Sequence, residues 1–337
     1  MKSATYWNAL EKRGNCLIKN IEMKYSVGAL LYSPALNHKI AEAVTGGILG
    51  EPYSLALCLE DTIAPDMVET AELQVKETLR QIYEASLMRS MYLPKIFIRV
   101  REPEQVNRIF SGIKRYQKIL TGFIFPKYTV ANAVAYHRAL LEVNGRSEET
   151  LYMMPILESG DLINFRTRTE TLGAIKDQID AMADVVLNVR VGGNDFSNEF
   201  AARRHYDETI YDILPIAQLL GDILTVFSRE YVISGPVWEF FSSDNDEWKK
   251  GLRQELKLDK LNGFIGKTVI HPKQIPVVNE ILKVTSKDFE DAKAILNWDN
   301  SGLQVGKSFG GERMNEVRTH YNWANKTILL SELYGIV

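Results

Sequence analysis

The chain is predicted to be an α/β protein of the (β/α)8 type, a TIM barrel with a C-terminal helical extension. Three observations predict this. Short apolar, β-branched or aromatic runs recur about eight times, longer amphipathic stretches lie between them, and polar residues collect just past the end of most runs. The 337 residues accommodate one barrel with a tail, or about two smaller domains.

The strand candidates, in order, are Tyr25–Ser33, Leu55–Leu59, Ile96–Val100, Gly122–Phe125, Leu151–Leu157, Val185–Val191, Tyr231–Ser234 and Thr268–Ile270. The segments Pro65–Arg89, Pro103–Leu120, Val130–Asn144, Thr167–Met182 and Asp207–Phe227 are helical in pattern, each long enough to cross back over a sheet. Asp66 follows Pro65 at the start of the first, and Gly145 follows Asn144 where a left-handed cap would sit. Beyond Pro272, helical stretches over Lys287–Trp298 and His320–Leu333 flank the glycine-rich run GLQVGKSFGGER. The expected division is an N-terminal segment 1–24, a barrel 25–282 and a helical extension 283–337.

A doubly wound open sheet is the alternative, but it carries a glycine-rich turn after its first strand. Here that strand ends Tyr32-Ser33-Pro34. The run GGILG at Gly46–Gly50 follows a helical segment rather than a strand. GFIGKT, Gly263–Thr268, is too short for a P-loop and precedes a strand instead of a helix.

Composition narrows the function classes. With 45% hydrophobic and 25% charged residues, the chain can bury a sizeable core. Lys+Arg number 40 against Asp+Glu 43, a net charge of -3, so there is no general positive field for nucleic acid or an anionic membrane. Cys16 and Cys58 lack metal-type spacing and read as reduced thiols of a cytoplasmic protein. Charges at Lys2, Glu11, Lys12 and Arg13 interrupt any signal-peptide core, and no apolar run reaches membrane-spanning length.

In a barrel the C-terminal strand ends form the active face. They carry Glu60-Asp61, then Arg99 and Arg101, Pro126-Lys127, Glu158-Ser159, Gly192-Gly193-Asn194-Asp195, Ser234-Gly235 and His271-Pro272. Any one such residue has an ordinary explanation, since strand ends reach water. As a set, Glu158 and Asp195 on neighbouring strands, with Glu60-Asp61 nearby and neither a histidine pair nor thiols, describe an oxygen-ligand site for Mg²⁺ or Mn²⁺ rather than zinc. Arg99 offers a fixed fork for a carboxylate or a developing enolate oxygen.

These residues stand in a recognisable order. LCLEDTIAP, FIRV, GFIFPK, PILESGDLIN, VGGNDF and GFIGKTVIHPKQIPVVN follow one another from about Ser26 to Asn279. Together they resemble the HpcH/HpaI aldolase and citrate lyase β-subunit family. LNVRVGGNDF, RRHYDETIYD and SGPVWEFF further resemble its branch of barrel lyases associated with tellurite-resistance gene clusters. The resemblance implies a barrel that makes or breaks carbon–carbon bonds of oxo or hydroxy acids, often CoA thioesters, with a divalent metal, working as a homo-oligomer. It implies Glu158 and Asp195 as metal ligands, Arg99 as partner of the substrate carboxylate or enolate, and Glu60 and Asp61 as hydrogen-bond partners of the metal's waters. Gly193, Asn194 and Lys127 are the substrate-contact candidates; Lys127, like His271, is a weaker pocket candidate with a structural role as the alternative.

Departures from the family pattern bear on substrate. The first strand reads GALLYSPA, with Gly28 where the pattern has arginine and Ala35 in place of glycine, which argues against a CoA-thioester or citrate substrate. Cys58 replaces the first acid of the DLED segment. Glu316, in ERMNEV, stands roughly where the family has an aspartate that closes over a site, here expected to be a neighbouring subunit's. Arg190, Arg203 and Arg204 flank the metal segment as anion-binding candidates, with surface helix charge as the other explanation for the latter two. Trp238, Phe240 and Phe241 either cap the pocket or pack a loop. The expected activity is a Mg²⁺-dependent lyase or aldolase; the rival is a barrel that binds metal and ligand without efficient turnover.

Overall fold

The computed structural model describes residues 21–299 and 302–337; Cys16 and the charges at Lys2, Glu11, Lys12 and Arg13 lie outside them. Eight strands form one parallel sheet: β1 (Ala29–Pro34), β2 (Ser54–Cys58), β3 (Lys95–Arg99), β4 (Leu120–Phe125), β5 (Tyr152–Leu157), β6 (Val189–Val191), β7 (Ile233–Ser234) and β8 (Lys267–Val269). Hydrogen-bonded neighbours run from β7 through β1 to β8. The circle closes where the Ile265 amide donates to the Ile233 carbonyl at 2.8 Å and the Gly235 amide to the Gly266 carbonyl at 3.1 Å. The (β/α)8 barrel expected from the sequence is therefore present.

The strands form because their apolar residues are excluded from water on both faces: Leu55, Ala56, Leu57 and Cys58 of β2 and Phe97 and Ile98 of β3 have no exposed surface. At the β1–β8 seam, Gly266 has φ +77°, and a Cβ there would fall 2.5 Å from the Gly28 carbonyl oxygen. Glycine lets the two strands approach.

Helices α1 (Ile40–Thr45), α2 (Val68–Met88), α3 (Pro103–Gly112), α4 (Val130–Asn144), α5 (Arg168–Asp180), α6 (Gly193–Glu199), α7 (Leu214–Phe227), α8 (Glu247–Asn262) and α9 (Ile275–Leu282) alternate with the strands. Helix α4 begins with a capping box between Thr129 and Asn132. Its C-cap, Gly145, has φ -65°, a right-handed conformation in place of the left-handed cap expected.

The chain divides into two compact units. One is Val27–Val278, the barrel; the other joins the segment ending at Ser26 with Asn279–Val337. In the second unit, α10 (Ser286–Leu296) and α11 (Val317–Tyr334) pack through Ala292, Ile295 and Ala324. The glycine-rich run between them carries β9 (Val305–Lys307), which forms an antiparallel hairpin with β10 (Met314–Glu316) just past its end, where the sequence pattern predicts only a connection. Asp291 ties it down, accepting from the Phe309 amide at 2.6 Å and the Asn315 amide group at 3.0 Å. Among the described residues no helix is long and apolar enough to cross a membrane.

Candidate active site

A cavity of about 380 Å³ opens within the barrel unit, lined by the C-terminal strand ends. It brings Asp61, Arg99, Glu158, Gly193, Asn194 and Asp195 to one space. Glu60 and Lys127 are not in its lining; they reach it through ion pairs.

Those pairs form a continuous network. The Arg99 guanidinium lies 2.8 Å from Glu60, 3.2 Å from Glu158 and 3.5 Å from Asp61. Lys127 Nζ donates to Glu60 at 2.8 Å and Asp61 at 3.0 Å. The Asp61 amide donates to the Glu60 carboxylate at 2.8 Å. Arg101, past the end of β3, donates to the carbonyls of Glu60 and Ile63 at 3.0 and 2.6 Å, bracing the loop that carries both acids.

Glu158 sits at the centre. Its Oε1 accepts from Arg99 and, at 2.9 Å, from the Lys127 backbone amide. Lys127 has φ 46°, a left-handed conformation that costs a non-glycine residue energy. Burial above all, then the charges of Asp195 and Glu60, push the Glu158 carboxyl up to about 7, against the pull of Arg99 and the Lys127 amide. At Lys127 burial works against the charge, but hydrogen bonds to Glu60 and Asp61 outweigh it and hold the ammonium above its usual value. Asp61 is held low in the same way, burial being outweighed by hydrogen bonds at Glu60 and Lys127 and by the charge of Arg99.

The donor chemistry suits a hard divalent cation. Glu158 and Asp195 are carboxylates close enough to repel, and both face the cavity. Among the described residues no three His, Cys, Asp or Glu are grouped to hold a metal, so a cation at these two acids would keep water or substrate oxygens in its remaining positions, as magnesium commonly does.

Several expectations fall elsewhere. His271 caps its own turn, Nδ1 accepting from the Lys273 amide at 3.2 Å, and stacks on Phe241 at 4.7 Å. Trp238 is wholly buried and Gln274 donates to the carbonyls of Trp238 and Phe240 at 2.9 Å, so these aromatics pack a loop rather than cap the cavity. Arg204 is not surface charge: it is buried, paired with Glu255 at 3.3 Å and stacked on Trp238. Arg203 is exposed, 3.4 Å from Glu239. Glu316 ends β10 in the other unit, its amide donating to His320 at 2.9 Å. Cys58 is buried and forms part of the cavity wall. Tyr32 and Thr268, not singled out from sequence, also line it; inward-facing polar residues inside a strand are the signal that would have found them.

A β/α barrel with carboxylates and a guanidinium converging at the C-terminal ends of its strands has the layout of a barrel enzyme. The family described as C–C bond lyases of the TIM-barrel fold matches residues 21–336, and the chain belongs to it. Its class is thus that of carbon–carbon lyases related to citrate lyase β subunits. Human mitochondrial citramalyl-CoA lyase is 23% identical over 283 residues, 83% of this chain and 77% of that protein. Citrate lyase subunit beta of Leuconostoc mesenteroides subsp. cremoris is 24% identical over 260 residues, 73% and 77% of the respective chains. With rat citramalyl-CoA lyase the match is 28% over 169 residues, spanning 46% of that protein's length. Among solved structures, a citrate lyase from Burkholderia xenovorans LB400 superposes with TM-score 0.70 at 13% identity, covering 92% of this chain and 93% of that one. The protein CitE from Mycobacterium tuberculosis, in complex with magnesium, acetoacetate and coenzyme A, gives 0.60 at 16% identity, covering 92% and 99%. Both support the barrel fold.

Proposed function

We propose that the chain is a magnesium-dependent lyase or aldolase that cleaves a carbon–carbon bond of an oxo or hydroxy acid, free or as its CoA thioester, through an enolate. The convergence of Arg99, Glu158 and Asp195 on one cavity carries this reading. The names of the relatives support the substrate class, and the magnesium, acetoacetate and coenzyme A of the Mycobacterium barrel support metal and ligand. We further infer a cytoplasmic homo-oligomer.

In this reading Glu158 and Asp195 hold the metal, and manganese would serve the same oxygen ligands. When bound, the cation supplies Lewis-acid polarisation of the substrate carboxylate and its neighbouring oxygen. Arg99 donates to the oxygen that gains charge as the carbon–carbon bond breaks; its Nε has no partner among the described residues, leaving a donor for substrate. Asp61, at the cavity wall, positions the group that removes the substrate's hydroxyl proton. Glu60 and Lys127 fix Asp61 and Arg99 in place, and Gly193 and Asn194 contact substrate from the start of α6.

The test is a panel of oxo acids, hydroxy acids and acyl thioesters incubated with protein and Mg²⁺, read by mass spectrometry. Cleavage or condensation products that disappear with chelator are expected. Binding of these compounds without any product would favour the rival reading of a non-catalytic barrel.

A further inference from the structure

Arg190 is a buried cation of the cavity that no carboxylate among the described residues pairs with. It sits in the middle of β6 with 1% of its surface exposed and lines the cavity. Nη2 donates to Thr268 Oγ1 at 2.6 Å, Nη1 to Asn188 Oδ1 at 3.4 Å, and Nε has no partner among the described residues. The guanidinium also hydrogen-bonds the Tyr32 phenol, which burial raises and which stays neutral, so this partner brings no negative charge.

The other buried arginines each have an acid: Arg99 has Glu60 and Glu158, Arg168 has Asp222, and Arg204 has Glu255. Buried Lys267 has Glu255 and Asp259. A guanidinium cannot shed its proton to escape burial, and an unpaired buried charge is costly unless something compensates it. The compensating group is missing from the described protein and the side chain faces a cavity, so the anion belongs to a ligand.

Its depth says which part of the ligand. Arg190 pairs in register with Ile156, two residues before Glu158, which puts its backbone roughly 6–7 Å below the level of Glu158 along the strand. Resting on the reading of Glu158 and Asp195 as the metal site, we propose that Arg190 binds a second anionic group of the substrate. The acid processed here is then at least a dianion, with one carboxylate at the metal and a distal carboxylate or phosphate deeper in the barrel between β6 and β8. Arg190 is in that case a determinant of specificity.

The test is calorimetric titration of the full chain, in Mg²⁺, with pyruvate, oxaloacetate and phosphoenolpyruvate, which differ in the second anion. At least one dianion is expected to bind about tenfold or more tighter than pyruvate, and the tighter one identifies carboxylate or phosphate. In Arg190→Gln that preference should collapse to within about threefold, with pyruvate and Mg²⁺ affinities unchanged, while Arg190→Lys keeps part of it. Equal affinity for all three ligands in the native chain would overturn the proposal without recourse to any variant, and so would a preference that survives in Arg190→Gln. A dianion preference that needs Arg190 but not Mg²⁺ would instead remove the metal reading and leave the anion site standing.

Discussion

The Glu158 carboxylate lies directly against the Cα of Gly192: a Cβ built on Gly192 would overlap both the Cβ and the Oε2 of Glu158. The first glycine of the segment that carries Asp195 therefore makes room for the other candidate ligand. Gly192→Ala should displace Glu158 and weaken Mg²⁺ binding by roughly 10–100-fold, the size of effect seen when groups that orient a ligand are lost. Circular dichroism and the melting temperature should show a folded chain. Unchanged Mg²⁺ affinity in calorimetry would mean that Glu158 is not a ligand.

Because Glu158 titrates near 7 in the metal-free chain, held there chiefly by burial, protons and metal compete for it. The ligand must be ionised, and its ionised fraction falls as pH drops through 7. Apparent Mg²⁺ affinity should thus be flat above about pH 8 and fall by about tenfold per pH unit below 6, one proton being released per metal bound. Calorimetry in buffers of different ionisation enthalpy counts that proton. Affinity independent of pH between 5 and 8 would contradict the placement.

Away from the cavity, Lys267 is wholly buried with Glu255 at 2.8 Å and Asp259 at 2.7 Å, and its backbone amide closes the β1–β8 seam on Gly28 at 3.0 Å. Lys267→Met keeps the volume but leaves two buried acids short of a cation. It should cost about 3–5 kcal/mol in urea unfolding. A loss below about 1 kcal/mol would show that Arg204 and Tyr211, which also reach these acids, suffice alone.

Much of the barrel was legible because its strands are buried on both faces and read as unbroken apolar runs, as LALC and IFI do. Ends were less so. The run Val185–Val191 reads as one strand, but residues 185–187 join β5 only through an isolated bridge at Val186 and the regular ladder covers Val189–Val191. Helix α8 escaped the pattern because Glu255 and Asp259 occupy its buried face beside Trp248 and Leu252: acids compensated by Lys267 and Arg204 break the apolar period that marks a helix. The tail hairpin was hidden by its brevity, three residues per strand in and just beyond a glycine-rich run. At the site, the strand-end rule found the carboxylates and Arg99, which meet around one cavity. It said nothing of how Lys127 bridges Glu60 and Asp61, since that depends on a left-handed backbone at a lysine. Nor did it show that Arg190 goes unneutralised, which is visible only when every buried acid is assigned to a partner.

The central claim is that Glu158 and Asp195 form a metal site to which an oxo acid or its enolate binds. Its most direct test is titration of metal-free protein with oxalate, an enolate mimic, with and without Mg²⁺, in the native chain and in Glu158→Ala and Asp195→Ala. Oxalate should bind the native chain only with Mg²⁺ present and should bind neither variant, both of which keep their melting temperature to within a few degrees, about 1 kcal/mol or less of stability. Oxalate binding of equal strength in the native chain and both variants, or binding indifferent to Mg²⁺, would contradict the account.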